Sequence, residues 1–84
     1  MSYKLFIAVD VLEFIERLPR KTRLALRSTI AEIGDHPIAL SDATDYDNIG
    51  RMIQITICGD YALIYWVDEP DQHVKILDIH SADR

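Results

Sequence analysis

Apolar and polar positions change period along the chain, and the changes divide it into elements. Tyr3-Lys4-Leu5-Phe6-Ile7-Ala8-Val9 is rich in β-branched and aromatic residues and predicts a strand. It stops at Asp10, with Glu13 three residues on, a capping-box pattern that predicts a helix start. Val11, Leu12, Phe14, Ile15 and Leu18 then fall at helical spacing, as far as Pro19, which ends or bends the helix. A second helix follows from about Arg20, with Leu26, Ile30 and Ile33 at i, i+4 and i+7 on one buried face and Gly34 and Pro37 as its stop.

Residues 35–50 are polar and aperiodic, which predicts a long mobile loop with no more than a short turn of structure in it. From Arg51 the period becomes two: Ile53, Ile55 and Ile57 alternate with Gln54, Thr56 and Cys58. Gly59-Asp60 is a hairpin turn into Tyr61-Ala62-Leu63-Ile64-Tyr65-Trp66-Val67. Asp68-Glu69-Pro70-Asp71-Gln72 turns again before a last strand, His73 to Ile79. The order β-α-α-β-β-β predicts a single α+β domain over 1–84. Its two-helix hairpin packs on one face of a twisted, mainly antiparallel sheet, and the other face is left for something else.

Length sharpens this picture. A chain of 84 residues buries only about 60% of its unfolded surface, so an oligomer or a complex is expected. The longest apolar run falls well short of the roughly 18 residues a membrane span needs, and the N-terminus carries no signal pattern, which predicts a cytoplasmic chain. Cys58 is the one cysteine, which excludes an intrachain disulfide or a zinc ribbon and predicts a buried thiol acting as a small apolar residue.

Charge is uneven. The net charge is −5, yet residues 1–41 sum to +1 and residues 42–84 to −6. Asp42, Asp45, Asp47, Asp68, Glu69 and Asp71 concentrate in the two loops and read as solvated turns rather than a metal site. Arg20, Arg23 and Arg27 form a stripe beside the apolar face of the second helix. They read as side chains lying around the core, pairing with Glu13, Glu16 or an acidic partner. His36, His73 and His80 have no short ligand spacing, so neither metal nor cofactor is implied.

The element order, together with Phe14-Ile15-Glu16-Arg17-Leu18-Pro19, Ile33-Gly34-Asp35-His36-Pro37, Gly59-Asp60-Tyr61-Ala62-Leu63-Ile64-Tyr65 and Ile76-Leu77-Asp78-Ile79-His80, resembles the RelE/ParE toxin superfamily. The superfamily includes plasmid-stabilisation-type toxins, and the resemblance is closer to RelE-like members. It implies a bacterial toxin encoded beside a small antitoxin that wraps it. RelE-like members cleave messenger RNA on the ribosome; ParE-like members act on DNA gyrase.

The departures from the family pattern concern chemistry. Ala62 stands where RelE-like proteins usually carry the arginine that reaches the scissile phosphate. Gln54, Thr56 and the isoleucines stand where Lys or Arg usually faces RNA, and His80-Ser81 stands where the family often has His-Arg or Lys-Arg. Cleavage through a 2′-hydroxyl needs a base, an acid and cations fixed near the phosphate. The resemblance leaves His80, Arg84, Arg51 and Tyr61 as catalytic candidates, and Arg20, Arg23, Arg27 and Trp66 as contacts for RNA or a partner. Tyr65 shares a sheet face with Tyr61 and is expected in the core, while Trp66 points to the other face.

The expectation is a toxin-type subunit of a type II toxin–antitoxin pair, RelE-like, with ribosome-dependent mRNA cleavage weakened or lost. Its partners would be the cognate antitoxin, the ribosome with its mRNA, or a second copy in a homodimer, and no membrane. The alternatives are a non-enzymatic module that binds antitoxin or itself, and a ParE-like gyrase inhibitor.

Overall fold

In the computed structural model, which describes residues 3–82, each apolar period becomes an element. Strand β1 (Lys4–Ile7) leads into helix α1 (Val9–Glu16) and helix α2 (Arg20–Asp35). Four strands follow: β2 (Ala43–Tyr46), β3 (Met52–Cys58), β4 (Tyr61–Asp68) and β5 (His73–Ser81). They form one sheet in the order β1-β5-β4-β3-β2, in which β1 and β5 are parallel and the other neighbours antiparallel.

The α+β architecture of a helical pair on a largely antiparallel sheet is as the periodicity predicts. The faces of the two helices are too. Val11 and Ile15 of α1 are buried, as are Leu26, Ile30 and Ile33 of α2, and they close on Leu63, Tyr65, Val74, Ile76 and Ile79 of the sheet. Gly34 is buried where α2 ends against Leu5, and its carbonyl accepts the Tyr3 N–H at 2.9 Å, tying the helix end to the start of β1.

Two local expectations change. The capping box does not form: α1 begins at Val9 with Ala8 as its N-cap, and no side chain caps it. Ala8 is held by the sheet, its N–H donating to the Ile76 carbonyl at 3.0 Å while its own carbonyl accepts from Val11 and Leu12. The helix therefore starts as soon as β1 ends, and Asp10 lies inside the first turn, where a carboxylate still favours the N-terminal end of the dipole.

Secondly, the stretch expected to be a loop contains β2, which pairs antiparallel with β3 from Ala43↔Ile55 to Tyr46↔Met52. All four of its residues are exposed, so no burial pattern betrays the strand.

On β3 the alternation left open which set faces the core, and the structure turns the polar residues inward. Gln54 and Thr56 are buried and face the core side, whereas Ile57 is exposed and Ile53 and Ile55 are half-buried on the other face. The reason lies in what covers this strand. Beyond the end of α2 the chain crosses it as irregular backbone, whose carbonyls need donors. Tyr65 donates its hydroxyl proton to the Pro37 carbonyl at 2.6 Å, and Thr56 Oγ1 donates to the Leu40 carbonyl at 2.9 Å. The two hydroxyl oxygens lie 2.9 Å apart and share one of these protons. Gln54 Oε1 accepts from Ser41 at 2.6 Å and Thr44 at 3.1 Å. Among the described residues no buried side-chain nitrogen or oxygen lacks a partner.

Candidate functional site

The sheet has one face under the helices and one open, and alternation along the strands decides which side chains the open face shows. Trp66 lies opposite Lys75, Ile64 opposite Ile55 and Asp78, and Ala62 opposite Ile57 and His80. The centre of this face is therefore a row of isoleucines: Ile53, Ile55, Ile57 and Ile64.

Cations collect at one end of the row. The Arg51 guanidinium and the Lys75 ammonium each lie 4.8 Å from the centroid of the Trp66 ring. Each also has a carboxylate: Arg51 Nε lies 2.8 Å from Asp47 Oδ2, and Lys75 Nζ 3.9 Å from Asp68 Oδ2. Their charge is thus largely compensated locally, and both cationic heads lie over the indole.

Asp47 organises the turn beneath. Burial would raise its pKa, but three donors outweigh that and hold it below the usual carboxylate range: the Arg51 N–H, the Arg51 guanidinium and the Ile49 N–H. A carboxyl lowered on folding contributes stability that is present above its unfolded value of about 3.9 and is lost as pH falls through the lower folded value. The expected result is that the Arg51 and Ile49 amides keep their shifts until Asp47 protonates at a pH below that value. A carboxyl-carbon NMR titration followed alongside these two amides checks it; an ordinary titration point for Asp47 would refute it.

The sequence-predicted residues do not converge. Arg51 and His80 share the open face, but His80 lies in register with Ile57, six residues beyond Arg51, about 20 Å along the strand direction. The exposed His80 ring places Nδ1 3.0 Å from the Ser81 carbonyl; because a carbonyl only accepts, Nδ1 carries the proton in this contact. Tyr61 is on the helix side, edge-on to Phe14 with ring centroids 5.6 Å apart, and Tyr65 is buried on that side as expected. Burial pushes the Tyr65 phenol up, so it stays a neutral donor. Arg84 lies outside the described residues.

The basic stripe is partly structural. Arg23 Nη1 donates to the Leu18 carbonyl at 3.1 Å, closing the end of α1, and Arg27 pairs with Glu16 across the helical pair. Arg20 is exposed at the first position of α2. Cys58 is half-buried under α2 and accepts a hydrogen bond from Thr29 Oγ1 at 3.2 Å.

Asp68, Asp71 and His73, at the turn between β4 and β5, offer three ligand atoms within 4.8 Å of one another. They are the described residues that could hold a cation, with Lys75 already beside Asp68.

Lys75 was not singled out from sequence, Asp47 was read only as a solvated turn charge, and the inward roles of Gln54 and Thr56 were not foreseen. Counting outward from a turn at 68–72 sets position 66 opposite 74; the observed pairing with Lys75 arises because Asp68 belongs to β4 and pairs with His73.

A helical pair on one face of a five-stranded mixed sheet, with β1 parallel to the last strand, defines a small α+β fold. The sequence matches no family model, and no curated protein matches it. Solved structures do match. The archaeal RelE–RelB complex of Pyrococcus horikoshii OT3 superposes with a TM-score of 0.85 at 22% identity, covering 100% of this chain and 99% of the other. The toxin–antitoxin complex RelBE2 of Mycobacterium tuberculosis gives 0.81 at 16% identity over 96% and 99%. The intact RelBE complex of E. coli gives 0.75 at 19% identity over 99% and 100%. The chain has the RelE fold.

Proposed function

We propose that this chain is the toxin-type subunit of a toxin–antitoxin pair, bound by a cognate antitoxin protein in the cytoplasm, with ribosome-dependent RNA cleavage weakened or lost. The observation that carries the reading is the open face itself. Isoleucines fill its centre, and its paired cations, Arg51 and Lys75, stand on Trp66 with carboxylates beside them. Phosphoryl chemistry on RNA draws most of its acceleration from cations preorganised around the phosphate. A nucleic acid also needs a cation near each phosphate contact, and the half of the chain that builds this face sums to −6. An apolar centre with an aromatic anchor suits a protein partner instead.

The fold supports the antitoxin partner, since the structures it resembles are RelE–RelB complexes. Inducible expression in a bacterium, alone and beside the neighbouring gene, tests the reading, with growth followed and primer extension run on a translated message. Soluble protein that leaves growth and message intact, yet co-purifies with the neighbouring gene's product, is the expected result. New cuts at ribosome-occupied codons would overturn the loss of cleavage and direct mutation to His80 and Arg84. Arrest without cuts, accompanied by DNA-damage signalling, would favour gyrase inhibition.

A further inference from the structure

The isoleucine row on the open face runs between carboxylates on both sides. On the β2 side, Asp45 stands directly opposite Ile53 in the ladder, and Asp42 is held beside Ile57, whose N–H donates to Asp42 Oδ2 at 2.7 Å. On the β5 side, Asp78 stands opposite Ile64, which is itself opposite Ile55. All three aspartates are exposed. Asp45 Oδ1 accepts from the Tyr46 N–H and Asp78 Oδ1 from the Ile79 N–H, each at 2.8 Å, so every one of the three is fixed in place by a backbone donor.

None of them has a cation. Arg51 and Lys75 are paired with Asp47 and Asp68 at the Trp66 end of the face, and among the described residues no ion pair reaches Asp42, Asp45 or Asp78. The uncompensated charge beside the row is therefore negative on both flanks, while the row itself is apolar, with Ile57 47% exposed.

Spacing selects the shape of what fits. Three strand spacings separate β2 from β5, about 14 Å in all, and a helix with its side chains is about 10–12 Å across. One helix therefore lies over the isoleucines between the two flanks. Ile53 to Ile57 covers about 13 Å along β3, a little over two helical turns. An added strand does not fit, because β3 and β4 each have ladder partners on both sides.

We infer that the open face takes an amphipathic helix of a partner protein whose apolar stripe is flanked on both sides by lysine or arginine. The inference rests on the reading of this face as a protein-partner surface and adds the partner's shape and charge. Its aliphatic side chains meet the isoleucines, and its cations reach Asp42 and Asp45 on one flank and Asp78 on the other. An acidic helix meets like charge on both flanks and is rejected.

The probe is a synthetic helix of about 18 residues, long enough to hold helix in water, with leucines in one stripe and lysines along both its flanks. Two counterparts carry glutamate for the lysines, or serine for the leucines. In a methyl NMR titration of the whole chain, the lysine-flanked helix is expected to saturate and to move the signals of Ile53, Ile55, Ile57 and Ile64, and neither counterpart is expected to do so. Asp45→Asn with Asp78→Asn keeps both oxygen acceptors and is expected to weaken binding about threefold to tenfold, as for two exposed ion pairs. Equal binding of either counterpart, unchanged affinity in the double variant, or binding by no peptide overturns the inference. So do isoleucine signals that move with protein concentration alone, which would put a second copy on this face. Co-purification with the neighbouring gene's product tests the toxin–antitoxin reading separately, since it can succeed through another surface.

Discussion

Leu26→Ala is expected to lower the unfolding free energy by about 2–5 kcal/mol, the range for emptying a fully buried leucine site. Leu26 is fully buried, midway along the inward face of α2, within the cluster that joins both helices to the sheet. Against a total of about 5–15 kcal/mol for a whole domain, and with a chain of this size near the low end, the change leaves a substantial unfolded fraction. The midpoint of urea unfolding reads it directly, and a shift worth less than about 1 kcal/mol would mean that α2 does not anchor the core.

Tyr65→Phe is expected to cost about 1–3 kcal/mol, because the ring still fills its place while the Pro37 carbonyl and the Thr56 hydroxyl lose a buried partner. Each kcal/mol is about 4–8 °C of melting temperature in a domain of this size. The signature is local as well as global: amide exchange should quicken at residues 38–41, the backbone these hydroxyls hold, more than in α1. Thr56→Val made in the same background should add less than its own single cost, since the two hydroxyls share one network. Full additivity would show that each bonds independently.

These two positions mark where the sequence was legible. Leu26, Ile30 and Ile33 announced their face because nothing but burial governs them, and helical period follows from burial. Tyr65 could be placed inward by counting from Tyr61, but its hydroxyl partners come from carbonyls at 37 and 40, which no pattern in side-chain polarity reveals. The same blindness left the facing of β3 open: Gln54 and Thr56 alternate with isoleucines as a solvent-facing set would, yet they face inward because irregular backbone covers them. β2 left no signal at all. Four exposed residues beside aspartates read as loop, and the strand is specified by pairing with β3.

For the candidate site, the register around Trp66 comes out one residue off when counted from a turn at 68–72, because Asp68 belongs to β4 and pairs with His73, while the wide separation of Arg51 from His80 along the strands was recoverable from turn positions. The compensation of Arg51 by Asp47 was not, because it depends on a turn conformation that brings a carboxylate back onto the guanidinium and two backbone donors. Asp10 and Glu13 carry the opposite lesson: a capping pattern was present, but the hydrogen bond from Ala8 to Ile76 started the helix first.

The parallel pairing of β1 with β5 has a consequence for the order of events at birth. The first strand made takes its place beside the last, so its partner positions Val74 and Ile76 do not exist while the helices are being synthesised. Contacts so distant in sequence close late and slowly. At about 5–20 residues per second of synthesis, the helices and the apolar side of β1 spend seconds without the strand that completes their core. A nascent chain halted anywhere before β5 lacks the fold, and with it any activity the fold confers. The protein passes from inert to native only when its final strand arrives.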